Sequence, residues 1–371
     1  DYRVVPRRAV TTTSHDCLRR KCPFYGTTCF VHGARRFAET ADVVVTNHTL
    51  LFCDAAADNG LLPPVRHWIL DEAHGAEAEA RRAFSLEIAA EDVTRLAQKV
   101  ASGESRNVYA RAERKLSSSL KNDGATLFEG LIGKAKSAGD MFAAAAHEFA
   151  PHIKDLLYFD PNKRSRSYDR TELWLNDDIR ASETFGSLRT LAKAMQVSAE
   201  KAITCSQELV GYLENIEGAA EPQREIASVA MDLKDLVGAV EVIFGEKSDS
   251  YAYAAELCRK KDKQTDKLEA LVVNVGEALE DKLYSQTKSV VFASATLSID
   301  GDFTSFENAM GLNAGEDSRA RTCQLDSSYD FDKNMTVYVA NDIPEPSDPH
   351  YLEAHERLLV GTHIAQQGSM L

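Results

Sequence analysis

Two successive carboxylates, Asp71 and Glu72, follow the apolar run Trp68-Ile69-Leu70 and precede Ala73-His74. An apolar strand that delivers paired acids is what a nucleotide-hydrolysing centre requires. One carboxylate can hold Mg²⁺, usually through water, while its neighbour orients and deprotonates the attacking water. The same pair also suits the first turn of a helix, where acids meet the positive end of the dipole, so the two residues alone leave both readings open. A second constellation is Cys17-x4-Cys22-x6-Cys29. Clustered thiolates in a loop suit an iron–sulfur cluster or zinc, and ligand softness does not separate the two. Three ligands are too few for a closed site, and three unrelated thiols are the plain alternative. The third element is Ser294-Ala295-Thr296, hydroxyls at the end of an apolar run.

The elements that must position these groups can be read from periodicity. Phe37–Thr40 resembles the end of a short helix, and Ala41-Asp42-Val43-Val44-Val45 reads as a buried, β-branched strand. The Leu61-Leu62-Pro63-Pro64 breaker precedes a strand at Trp68–Leu70, and another is expected at Ser289–Ala293. Buried parallel strands imply an α/β sheet, whose ligands bind outside the carboxyl ends of the strands, where Asp71 and Glu72 lie. Residues 77–285 read as a long helical insertion. One apolar stripe runs through Leu188, Leu191, Met195, Ala199, Ala202, Cys205, Leu209, Leu213 and Ile216, and another from Ile226 to Val240. A basic, turn-rich stretch at Asp160–Arg166 interrupts it, and a strand at Met335–Val339 and a helix from Tyr351 to about Gln367 are expected near the end.

The formal charge of −14 argues at first against a polyanionic partner. The average conceals a local reversal. Residues 1–36 carry eight basic residues, Arg3, Arg7, Arg8, Arg19, Arg20, Lys21, Arg35 and Arg36, against two acids, Asp1 and Asp16. A basic segment on an acidic body can grip phosphates, although a charge cluster is also compatible with a merely solvated face. The seven cysteines are odd in number and unevenly spread, which excludes a disulfide framework. Cys53, Cys205, Cys258 and Cys323 lack thiol or His neighbours at ligand spacing, and His48 and His67 read as packing residues. No apolar run reaches the roughly 18–20 residues of a membrane span. Asp1 is not an initiator Met and Leu371 is followed by no cap, so both ends read as cut and the protein is expected in the cytoplasm.

The order strand, Asp-Glu-Ala-His, helical insertion, strand, Ser-Ala-Thr-Leu resembles the DinG and XPD-like branch of superfamily-two helicases. Ala41-Asp42-Val43-Val44-Val45-Thr46-Asn47-His48-Thr49-Leu50-Leu51 is similar to that family's ADVVVTNHALL stretch, and Leu61–Pro64, Phe306–Leu312 and Asp342–Pro346 look like further landmarks. The resemblance spans nearly the whole chain, with the insertion matched only in character. It implies an ATP-dependent DNA helicase moving 5′ to 3′ on single-stranded or forked DNA in repair or replication stress, acting as a monomer with ATP and Mg²⁺. It further implies a four-iron four-sulfur cluster on Cys17, Cys22 and Cys29 plus an upstream cysteine. Asp71 would hold Mg²⁺, Glu72 would act as general base, His74 would link the nucleotide site to the motor, and Ser294 and Thr296 would couple hydrolysis to movement. Arg19, Arg20, Lys21, Arg35 and Arg36 would contact DNA phosphates, with Phe24, Tyr25 and Phe30 available to stack on bases or to pack the loop.

The architecture so implied is an α/β RecA-like motor. Its iron–sulfur segment is 1–36, its first motor domain 37–76 and 286–320, its arch-like insertion 77–285, and a second motor domain starts at 321–371. No G-x-x-x-x-G-K-[ST] occurs in the 371 residues, so the phosphates of ATP have no cradle and this chain alone is expected not to hydrolyse ATP. The competing expectation is a non-enzymatic, metal-stabilised single-strand-binding protein with a relict acidic box.

Overall fold

The computed structural model describes residues 22, 24–57, 61–117, 123–161, 169–260, 265–312, 320–337 and 339–366. The chain divides into two compact units at residues 320 and 321. The first unit is mixed α/β and holds, among the described residues, two separate hydrophobic clusters.

The smaller cluster organises a parallel sheet. β1 (His67–Leu70) pairs in parallel with β6 (Ser289–Phe292), with His67 opposite Ser289 and Leu70 opposite Phe292. Alternation along both strands turns Trp68, Leu70, Val290 and Phe292 to the core and leaves Ile69 and Val291 exposed. Helices α2 (His48–Ala56), α3 (Ala76–Phe84), α10 (Val275–Lys282) and α11 (Thr304–Met310) complete this lobe. Their contribution includes Leu51, Phe52, Ala76, Ala80, Val275, Leu279 and Met310. Each large side chain there, such as the fully buried Phe52, stabilises the lobe by about 1.5–3 kcal/mol. Asn47 caps α2 by accepting from Leu50 N at 2.8 Å, and buried Asp54 accepts from Leu61 N and Leu62 N at 2.6 and 3.0 Å, which ties the loop before β1 to that helix.

Three sequence expectations need correction here. Ala41–Val45 forms no strand among the described residues, and Val43 and Val45 are exposed, because β-branching favours extended backbone without supplying a ladder partner. Residues 335–337 and 339 likewise form no strand, and 338 lies outside the described residues. The insertion is not wholly helical. It includes an antiparallel sheet ordered β2 (Leu86–Ala89), β5 (Lys267–Val272), β4 (Tyr251–Cys258) and β3 (Arg170–Trp174). The small residues and short lengths of these strands hid them beside long helical stripes.

Those stripes do form helices. α8 (Glu183–Leu213) and α9 (Ala220–Phe244) pack with α4 (Ala90–Val100), α5 (Val108–Leu116) and the long α6 (Asp123–His152) around the larger cluster. Leu188, Met195, Ala199, Ala202, Leu209, Leu213, Ile226, Val229, Leu233 and Val240 are buried there. Tyr109 and Ser206 share a buried 2.8 Å hydrogen bond, and burial pushes the Tyr109 phenol up to about 12. Arg180 is enclosed too, donating to Ile243 O and Gly245 O at 2.9 and 3.1 Å beneath the Tyr253 ring, its guanidinium centre 4.3 Å from the ring centroid. The five-residue helix before α8, α7 (Asp177–Ala181), carries that arginine. The second unit contains, among the described residues, the helices α12 (Phe331–Asn334) and α13 (Tyr351–Gln366). No helix among the described residues is long and apolar enough to cross a membrane.

The first turn of α10 meets the end of α11 at glycine on glycine, where a Cβ on Gly276 would lie 2.4 Å from the Gly311 Cα. Gly276→Ala is therefore expected to destabilise the chain by about 1–3 kcal/mol in urea unfolding. Gly130→Ala, in open space on α6, is expected to be neutral or stabilising by up to roughly 1 kcal/mol.

Candidate functional site

The acidic box continues β1 beyond its last paired residue. Ala293 N donates to Leu70 O at 2.9 Å and Ala73 N donates to Ala293 O at 3.0 Å, so the two strand ends stay laced together as the chain turns. Asp71 and Glu72 thereby stand exposed at the carboxyl edge of the sheet, on the side where Ser294 leaves β6. Ala73 and Ala76 are buried beneath them and anchor the turn into α3.

Glu72 takes a left-handed conformation, φ 49° and ψ 44°, and its amide donates to Asp71 Oδ1 at 3.0 Å. A non-glycine residue pays for that conformation, by about 1–2 kcal/mol, and strain of this kind collects where geometry is imposed for function. It turns the Glu72 side chain back over the box. His74 Nδ1 lies 3.0 Å from Ser294 Oγ and 3.4 Å from Glu72 Oε2. One ring nitrogen is thus shared between the acid pair and the Ser-Ala-Thr segment, residues 220 positions apart in sequence. The tautomer with the proton on Nδ1 donates to Ser294 Oγ, and the Glu72 carboxylate stands nearby without a hydrogen bond to the ring. Thr296 is exposed in the turn two residues beyond Ser294. Sequence reasoning named these residues, but did not see that His74 is the one that bridges them, nor that a second His–Ser contact, His67 Nδ1 to Ser289 Oγ at 2.8 Å, closes the other end of the same strand pair.

The cysteine segment is described only in part, since Cys17, Arg19, Arg20 and Lys21 lie outside the described residues. Cys22 and Cys29, both half-buried, frame a tight turn in which Tyr25 N donates to Cys22 O at 3.0 Å and Cys29 N to Phe24 O at 3.0 Å. Cys29 caps α1 (Phe30–Thr40), its Sγ accepting from His32 N at 3.4 Å. A half-buried sulfur in a loop suits a soft metal, iron or zinc alike. Among the described residues no group of three His, Cys, Asp or Glu is assembled for a metal. Tyr25 stacks on His32 with ring centroids 3.7 Å apart, so it packs the loop, whereas Phe24 and Phe30 are exposed. Arg35 is half-buried and Arg36 exposed on α1. Of the remaining thiols, Cys258 is buried, Cys53 and Cys323 are exposed, and burial pushes the half-buried Cys205 thiol up, as befits a packing residue.

No family model matches the chain. Among curated proteins it is similar to ones with helicase names and to one with an exonuclease name. It is 26% identical over 344 residues to "3'-5' exonuclease DinG" of Bacillus subtilis, covering 89% of this chain and 35% of the relative. It is 28% identical over 338 residues to "ATP-dependent helicase DinG" of Mycobacterium tuberculosis, covering 91% and 42%. To "ATP-dependent DNA helicase YoaA" of Escherichia coli it is 23% identical over 344 residues, covering 92% and 45%. The chain is DinG-like in sequence. It spans less than half the length of each of these DinG and YoaA relatives.

The left-handed Glu72 yields a direct test. Glu72→Gly is expected to raise stability by about 1 kcal/mol, read by urea unfolding, because glycine adopts that conformation without a Cβ clash. A loss of stability would show that the Glu72 contacts outweigh its strain.

Proposed function

We propose that the intact protein is an ATP-dependent DNA helicase and that this chain carries part of its motor. The observation that supports this most is the parallel strand pair that sets Asp71, Glu72 and His74 beside Ser294 at one sheet edge, with His74 bridging the two segments at 3.0 Å from Ser294 Oγ. Two of the relatives reported above, named ATP-dependent helicases, support the same reading.

On this reading the sheet belongs to a RecA-like domain formed by residues 37–76 and 286–320. Residues 77–285 form the arch-like insertion, 1–36 the iron–sulfur segment, and 321–371 the start of a second motor domain. Asp71 holds Mg²⁺ and Glu72 orients and deprotonates the water that attacks the γ-phosphate. Mg²⁺, when bound, would supply positive charge against the phosphates. His74 passes the protonation and position of Glu72 to Ser294, and Ser294 with Thr296 relays that state toward the DNA. Cys17, Cys22 and Cys29 hold three positions of a four-iron four-sulfur cluster. Arg19, Arg20, Lys21, Arg35 and Arg36 grip the phosphates of single-stranded or forked DNA in a salt-sensitive, sequence-independent way. Movement is 5′ to 3′, the role is repair under replication stress, and the chain by itself is inactive because it has no phosphate-binding loop.

In the full-length protein, Glu72→Gln is expected to keep ATP binding and to lower turnover by at least about 100-fold; undiminished turnover removes Glu72 from its role. Cys29→Ser is expected to abolish iron content and the visible absorbance of the purified protein, and iron retained at the original stoichiometry would assign the cysteine elsewhere.

A further inference from the structure

Within the span 77–285 the chain leaves the lobe of the smaller core at Ser85 and returns to it at Val272–Val273, and the helix that follows the acidic box holds both crossings. α3 starts two residues after His74 and ends at Phe84. In its last turn the Arg81 guanidinium donates to Val272 O and, at 3.1 Å, to Val273 O, while its second nitrogen pairs with Glu77 one turn back. Ser85 Oγ accepts from Val272 N at 3.1 Å and donates to Arg81 O at 2.5 Å. Val272 is therefore held at both its N–H and its C=O by one end of α3. Three residues before α3, in the turn that leads into it, Ala73 N donates to Ala293 O, one residue beyond β6.

A nine-residue helix is a rod of about 13 Å, stiff along its axis because each turn is closed by backbone hydrogen bonds. Its two ends here fasten to different parts of the molecule, the neck of the insertion and the acidic box. A cleft of about 380 Å³ opens beside the neck, lined by Arg81, Ser85, Lys267 and Glu269 among others, so the neck has free space on that side and is restrained there by α3. Neighbouring Arg82 is mostly exposed and pairs with Glu79 on its own helix.

We propose that Arg81 is a positioning residue that transmits the placement of the insertion, through α3, to Glu72 and His74. Displacing Val272–Val273 then rotates α3 as a unit and shifts the box against Ser294. The mechanical link stands on the geometry above; that it couples DNA engagement to ATP hydrolysis rests on the helicase reading.

The test uses full-length protein carrying Arg81→Ala, Arg81→Lys or the control Arg82→Ala. Without DNA or nucleotide, amide exchange in Arg81→Ala is expected to rise about fivefold or more at residues 71–75 and 289–294 as well as at 267–274, with partial restoration in Arg81→Lys and no change in Arg82→Ala. Exchange raised only at 267–274, or raised equally by Arg82→Ala, overturns the proposal. With DNA, base pairs unwound per ATP are expected to fall about tenfold in Arg81→Ala and to stay within about twofold in Arg82→Ala; unaltered unwinding in Arg81→Ala, or an equal fall in Arg82→Ala, also overturns it. If the unsubstituted protein hydrolyses no ATP with DNA, the helicase reading fails, and the exchange measurement still decides the role of Arg81.

Discussion

The parallel pairing of β1 with β6 is the constraint on which the rest of the molecule depends. Two antiparallel strands can be joined by a tight turn, but parallel strands need a crossover, and here the crossover is the entire insertion. His67 and Ser289, which touch at 2.8 Å, are 222 residues apart. The sheet therefore forms only when α2, α3 and α10 bury a shared apolar face against it, and everything chemically notable at its carboxyl edge inherits that dependence.

The consequence at the edge is a short relay. The strand laddering continues through Ala73 and Ala293 past the last paired residues, which brings the acidic box and the Ser-Ala-Thr segment within one side chain of each other. His74 spans the gap, and the left-handed Glu72 directs its carboxylate to the same nitrogen. The exposed placement of Asp71 and Glu72 fits acids that meet a metal-bound nucleotide, since buried unpaired carboxylates would carry a heavy desolvation cost. The helices and antiparallel sheet between the two parallel strands have a core of their own, separate from the one beneath the acidic box.

Much of the architecture was legible in the residues. The helical stripes at 188–213 and 226–240 lie on α8 and α9, the strands at 68–70 and 289–292 are present, and α13 runs from Tyr351 to Gln366 as its apolar spacing suggested. The Asp-Glu-Ala-His order and the Ser-Ala-Thr that follows the second strand pointed to DinG-like helicases, and relatives with those names cover about nine-tenths of the chain. The four-stranded sheet was not legible. Tyr251–Cys258 contains three alanines, and Leu86–Ala89 is only four residues long, so neither shows an alternation strong enough to stand out from helix.

By itself, the sequence determined where the chemistry-bearing residues sit along the chain and which local conformations they favour, because residue type, capping and apolar spacing act over a few positions. It could not determine pairing. Ala41–Val45 has the composition of a strand, yet no other segment among the described residues pairs with it as a ladder. Only the tertiary structure decided that His74 meets Ser294, that Glu72 is left-handed, and that Arg81 grips the chain where it leaves the insertion. Each of those is a contact or a conformation imposed across roughly 190 to 220 residues of intervening chain or by packing beneath the turn, and local propensity carries no information about either.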